Sequence, residues 1–270
     1  MSARLFALAT AVLLATTACP LSAQTGVRYT VTMSGDKGHP SRAVVTVLGD
    51  RSRIQPIRER DDTDDGDSNY MIIRDGKLYS VDSDKREYNV NKPEDFENVV
   101  GTALRAVSPM VKMHIDDTEI SAAELDDADR VLGFSTRHFR LTQKFTLSVS
   151  AFGLSAADDA SSHEVVTDYW FAPDARLPRN PLVELIAAAP AAPAQQSRSF
   201  TRESAKVRES LFKGMPMRIV VRSREGEDSQ LEEKARIEIT QMERIAVDPR
   251  QFEVPAGYTQ TEGLRTHMEM

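Results

Sequence analysis

Cysteine is almost absent from this chain. Cys19 is the single one among 270 residues, and it directly follows the N-terminal apolar stretch. A mature chain starting beyond it would have no disulfide and no thiol nucleophile. Trp170 is the single tryptophan, and aromatics make up 6% of the residues, which argues against an aromatic-lined sugar cleft. Positive charge is also in short supply. The 34 Lys and Arg are outnumbered by 41 Asp and Glu, for a net charge of -7. That balance disfavours nucleic acid and anionic lipid surfaces as partners. No Gly-x-Ser-x-Gly elbow occurs. The five histidines, His39, His114, His138, His163 and His267, lack the short spacings of metal ligands. Neither nucleophilic nor zinc catalysis has an anchor. The expectation is a protein that is not an enzyme, with no catalytic residue, no metal and no cofactor.

What is present begins with the first twenty-three residues. Arg4 is followed by an uncharged apolar run from Leu5 to Ala18, and Pro20-Leu21-Ser22-Ala23 ends on a small residue. That order is the pattern of a secretory signal peptide. The run is too short to span a bilayer, and no later apolar stretch reaches spanning length, so no transmembrane segment is expected in the mature chain. Residues 1–23 are expected to be cleaved, leaving 24–270 as a single exported domain, periplasmic in location. A second reading cleaves before Cys19 and makes it the lipid acceptor of a membrane-anchored lipoprotein.

Strand signals dominate the rest of the chain. Val27, Tyr29, Val31 and Met33 alternate with polar residues, the period of a half-buried strand. Returning strands are expected over Arg42–Leu48 and Arg51–Arg58, with Pro56 marking an edge or bend. Tyr70–Arg74 and Lys77–Val81 flank Asp75-Gly76, a strong signal for a tight hairpin. The acidic run Asp61–Asp67 invites calcium, but Thr63 and Ile72 occupy ligand positions of an EF-hand alignment. It reads as a solvated loop.

Pro93 opens a helix whose Phe96, Val99, Val100, Ala103, Leu104 and Val107 share one face. Ser121-Ala122-Ala123-Glu124 has capping-box form, but too little apolar sequence follows it for a long helix. The longest alternating strand places Phe139, Leu141, Phe145, Leu147 and Val149 on one face. His138 falls on the polar face, where surface exposure is expected. Val165–Phe171 is expected to pair with this strand. Asn180-Pro181 opens a second helix, followed by a mobile Ala/Pro-rich insertion near 187–198. A third helix is expected over 201–212. Met217–Arg222 and Ala235–Thr240 read as a final strand pair.

The order of these parts carries a resemblance. Gly49–Ile54, Met71–Asp82, Gly133–Leu141, Asp168–Phe171, Lys213–Pro216 and the closing Asp248–Tyr258 segment follow one another as in the lipoprotein-carrier (LolA/LolB-like) superfamily. The chain resembles that superfamily and the exported domains grouped with it. The resemblance implies a mainly β (α+β) fold: a strongly curved antiparallel sheet, or incomplete β-barrel, with covering helices. It implies that the concave face holds acyl chains, so a lipid or lipoprotein is the expected partner. Phe96, Val100, Leu104, Phe139, Leu141, Phe145, Leu147 and Trp170 are the expected ligand-binding residues. An alternative keeps the fold with a filled core and makes the protein an envelope protein-interaction or sensing module. A second alternative, a hydrolase of unknown type, would need a polar cleft that the sequence does not reveal.

Overall fold

The computed structural model describes residues 24–35, 40–57, 69–91, 111–151, 154–155, 161–173, 177–188, 206–207, 209–210, 213–226 and 228–261. The expected signal peptide with Cys19, the Asp61–Asp67 run, the helix carrying Phe96, Val100 and Leu104, and most of the Ala/Pro-rich insertion lie outside them.

The chain is mostly strand, in one large, curved and mainly antiparallel sheet that does not close into a barrel. Strands β1 (Gln24–Gly35), β2 (Ser41–Leu48), β3 (Arg51–Ile57), β4 (Asn69–Arg74), β5 (Lys77–Asp82) and β6 (Glu87–Asn91) form a meander in chain order. The chain then resumes at the opposite edge with β7 (Val111–Leu125), which pairs with β10 (Arg137–Ala151). From there β12 (Ser161–Ala172), β13 (Met215–Glu225) and β14 (Glu232–Val247) step back to the centre, where β14 pairs with β1. The short strands β8 (Arg130–Val131) and β9 (Phe134–Ser135) form their own hairpin, and β11 (Leu154–Ser155) extends one end of β10. Strand β15 (Thr259–Gln260) adds in parallel to β6.

Local chemistry accounts for much of this. Asp75 and Gly76 adopt φ of 52° and 65°, the left-handed pair that a primed two-residue turn requires. Pro56 is tolerated because β4 pairs with β3 only over Ser52–Ile54 and has departed before Pro56. Helix α1 (Pro181–Ala188) starts as its sequence implies: buried Asn180 accepts from the Val183 amide at 3.4 Å. Residues 206, 207, 209 and 210, within the third expected helix, are helical. The register shifts at Thr30/Val31, Lys144/Thr146, Trp170/Phe171 and Val221/Arg222, the kind of irregularity at which strands bend.

Two local sequence signals give way. Ser121–Glu124 is not a helix start but part of β7, opposite Thr142 to Phe139 of β10. Pairing along a fifteen-residue strand outweighs a weak capping signal. Ala187 does not begin the Ala/Pro break either. It is buried in the core at the end of α1.

The main core lies on one face of the sheet. Val27, Tyr29 and Val31 of β1, Val45 of β2, Phe139 and Leu141 of β10, Met217 and Ile219 of β13 and Ile239 of β14 pack beneath Val183 and Ala187 of α1. Each Val, Leu, Ile, Phe or Met among them contributes about 1.5–3 kcal/mol through burial. A second core lies on the other face of β4 and β5. There Tyr70, Ile72 and Val81 meet Val247 and Phe252. This explains the unbroken apolar run of β4, whose Met71 and Ile73 pack against the main core instead. The closing segment is a clamp: a 3-10 turn over Pro249–Phe252, capped by Asp248, seats the fully buried Phe252. Arg53 lies 3.6 Å over the Tyr70 ring, and Glu253 pairs with Arg74.

Candidate functional site

The two faces of β10 carry different chemistry. On the core face, Phe139 and Leu141 belong to the main core. Phe145 belongs to a separate small cluster with Val165, against which Leu147 packs. Trp170 stands on the other face, since it pairs with His138 and not with Phe139 in the β10–β12 register. The structure therefore divides the expected ligand-binding set three ways: Phe139 with Leu141, Phe145 with Leu147, and Trp170 apart. Leu141 is only 2% exposed and is packed as core.

A cavity does occur on the core face, three ladders away at the β14–β1 pairing. It has a volume of about 400 Å³ and is lined by Val27, Phe134, Leu177, Pro178, Met242, Glu243 and Arg244. Its floor is β1 and β14, where Val27 pairs with Arg244 and Tyr29 with Met242. Phe134 of β9 forms one wall. The roof is the Leu177–Pro178 segment ahead of α1. Tyr29 holds that roof in place. Its hydroxyl donates to the Pro178 carbonyl at 2.5 Å and lies 3.8 Å from Met215 Sδ. Burial, with a smaller push from Glu184, raises the Tyr29 hydroxyl well above its usual value, so it stays a donor. No local sequence pattern flags this site, because its walls come from four segments far apart in the chain.

The opposite face carries a charged array. His138, expected at the surface, is 2% exposed. Its Nδ1 meets Asp127 at 2.6 Å and its Nε2 meets Asp168 at 2.9 Å. The His138 ring stacks on Trp170 with centroids 4.2 Å apart, and Arg218 lies over the indole at 5.3 Å. Alternation separates the two faces of a strand but does not say whether a polar face will be covered. Here Asp127 and Trp170 cover it. Asp168 is fully buried and accepts from Arg140 at 2.8 Å and from Arg222. Burial alone would raise its carboxyl, but hydrogen bonds from Arg140 and His138 outweigh that and hold it below the ordinary carboxylate range. Arg218 bridges Asp129 at 2.7 Å and Glu238 at 2.8 Å. These carboxylates and cations pair with one another, an arrangement that fixes strand positions, although Arg218 Nε is buried with no partner among the described residues.

A polar cleft of about 460 Å³ lies near the far end of β10, between Asp117, Lys144, Phe145, His163, Glu164 and Arg224 among others. Glu164 pairs with Arg224 at 2.6 Å, and Ser161 Oγ lies 2.7 Å from His163 Nε2. Among the described residues no group of three or more His, Cys, Asp or Glu is placed to hold a metal ion. Nor is any helix of the described residues long and apolar enough to cross a membrane.

Fold and site together define a class: an open antiparallel sheet with one covered face and a small apolar cavity at the edge of that cover. No protein-family model and no curated protein matches the chain. Solved structures do show likeness. A conserved, uncharacterized protein from Thermus thermophilus aligns with a TM-score of 0.37 and 10% identity, over 88% of this chain and 90% of its own. PNGF-II aligns at 0.34 and 9% identity, over 88% of this chain but only 31% of its own. The LolA superfamily protein NE2245 from Nitrosomonas europaea aligns at 0.27 and 7% identity, over 87% of this chain and 91% of its own. At these TM-scores the likeness is distant, and it assigns neither a ligand nor a reaction.

Proposed function

We propose that this is an exported, non-enzymatic binding protein that holds an apolar ligand, a lipid or the acyl part of a lipoprotein, in the cavity between β1, β14 and the Leu177–Pro178 roof. The observation that supports it is the cavity itself. At about 400 Å³ it falls within the usual range of ligand sites, about 300–1,000 Å³. Five of its seven lining residues are apolar side chains. Burial of apolar ligand surface would supply the driving force, about 25 cal/mol per Å². The site is thus displaced from the β10 residues that the sequence suggests. A periplasmic setting goes with this reading, and rests on the signal-peptide pattern of residues 1–23.

Organic extraction of the purified protein followed by mass spectrometry tests the proposal, together with titration by a neutral apolar fluorophore. Acyl chains should be recovered and should compete with the fluorophore. Leu177→Glu should lose binding while keeping the wild-type melting temperature. An extract free of apolar ligand, with a fluorophore that does not bind, would overturn the proposal. The mass of the mature N-terminus checks export separately: cleavage after Ala23 and lipidated Cys19 give different masses.

One observation favours a second reading. Phe139 and Leu141 are packed as ordinary core, as an envelope interaction module with a filled interior would require. Under that reading the protein binds a protein partner and no lipid is recovered.

A further inference from the structure

Glu243 and Arg244 are the charged residues lining the cavity. They differ in where they point and in what they meet. Glu243 pairs with Arg28 in the β1–β14 register, and the Arg28 guanidinium donates to it at 3.1 Å. Arg244 pairs with Val27, and Val27 is buried in the main core. Alternation therefore sets Arg244 on the cavity side of β14 and Glu243 on the other side. Arg244 is exposed, so it stands at the cavity mouth. Among the described lining residues, it is the one charged side chain with no ion pair or hydrogen bond. The Pro178 carbonyl in the roof is already used by Tyr29. The mouth thus offers five guanidinium donors and a fixed positive charge beside apolar walls.

Resting on the cavity reading above, we infer that the ligand is a single-chain anionic amphiphile: its apolar chain lies against Val27, Phe134, Leu177 and Met242, and its carboxylate-type head is bound by Arg244. A guanidinium matches a carboxylate or phosphate fork with two parallel hydrogen bonds. The cavity lies at the small end of the range for ligand sites, which favours one chain over two. The overall acidity of the protein repels free anions in bulk, so selectivity has to come from this local cation.

A head-group series tests the inference. Oleate, oleyl alcohol and oleylamine, each below its aggregation concentration, would displace a neutral apolar fluorophore from wild type, Arg244→Gln and Arg244→Lys. Oleate should bind wild type at least about tenfold more tightly than the alcohol, and the amine should bind most weakly. The oleate advantage should fall toward one in Arg244→Gln, persist in part in Arg244→Lys, and shrink with added salt. Alcohol affinity should change far less than oleate affinity, and circular dichroism shows that the variants are folded. Equal binding of oleate and alcohol to wild type would overturn the head-group assignment and leave the apolar cavity standing. So would an oleate advantage that survives Arg244→Gln. Failure of all three ligands to bind would remove both.

Discussion

The two faces of the β10–β12 ladder are built from the same two strands and held by opposite means. On the core face, Phe139 and Leu141 of β10 and Tyr169 and Phe171 of β12 are buried together. Apart from the Tyr169 hydroxyl, little there must be matched except shape. On the other face, His138, Arg140, Asp168 and Trp170 alternate with them, and every group depends on a particular partner. An apolar face degrades by increments as methylenes are removed. A buried charge with three cationic or imidazole partners fails when one member is lost. The apolar cavity falls at the margin of the tolerant face, where one wall can change without stranding a charge.

The contrast is broken hardest at Asp168. Asp168→Ala leaves Arg140, Arg222 and the His138 ring facing an empty, buried site. The expected loss is about 3–5 kcal/mol, the cost of stranding partners of a buried ion pair, read from urea unfolding followed by circular dichroism. Leu141→Ala, on the other face of the same ladder, removes methylenes from the main core and should cost about 2–5 kcal/mol. The faces differ in what a second substitution does. Adding Arg222→Met to Asp168→Ala should restore part of the stability, because it removes a stranded cation. A second truncation beside Leu141 should only add to the loss. If the Asp168 pair proves additive, the charged array is not coupled and the contrast fails.

Acid sharpens the same contrast. The Asp168 carboxyl sits below its ordinary value of 3.8, because hydrogen bonds from Arg140 and His138 overcome the effect of burial. A depressed value in the folded state means that ionised Asp168 favours folding. Its contribution is complete above the unfolded value near 3.8 and disappears as pH falls through the lower folded value. Asp82 and Glu233, lowered chiefly by hydrogen bonds from the Lys85 backbone and the Arg236 side chain, add in the same direction. Stability measured at pH 6, 4 and 3 should therefore be level at first and then fall. In Asp168→Asn the fall below pH 4 should be shallower. Leu141→Ala should run parallel to wild type across the series. An unchanged acid slope in Asp168→Asn would place the acid sensitivity elsewhere.

How far the sequence reveals this division depends on the range of each signal. The Asp75-Gly76 hairpin, the Asn180-Pro181 helix start and the alternation of β10 are written within a few residues. All three are legible, as is the curved antiparallel sheet to which they belong. Burial of His138 is not legible. It depends on Asp127, eleven residues earlier and beyond the end of β7, and on Trp170 across the ladder. Trp170 misleads for a related reason. Tyr169, Trp170 and Phe171 are contiguous and aromatic, but strand geometry sends the middle one to the other face. Ser121–Glu124 shows a local motif overruled by its strand partner. The cavity needs Val27, Phe134, Leu177 and Met242 brought together, and this is a property of the whole topology.

The smallest expected effect uses that same misleading residue. Trp170 is the sole tryptophan, and it stacks on His138 beneath Arg218, so its emission reports only the charged face. Filling the cavity with an apolar chain should leave that emission unchanged, because Val27 and Met242 project from the other face of the sheet. Acidification through the lowered folded value of Asp168 should shift it, because protonating Asp168 loosens the array under the indole. A tryptophan lining the ligand site, as the sequence suggests, would respond in the reverse way: strongly to ligand and weakly to acid. One titration with oleyl alcohol at pH 7 and one pH titration without ligand therefore decide which face Trp170 serves. A ligand-induced shift at pH 7 would show either that the chain binds along β12 or that the two faces are coupled through the sheet. Repeating the titration with Leu177→Glu separates these outcomes, since only binding under the Leu177–Pro178 roof should be lost in that variant.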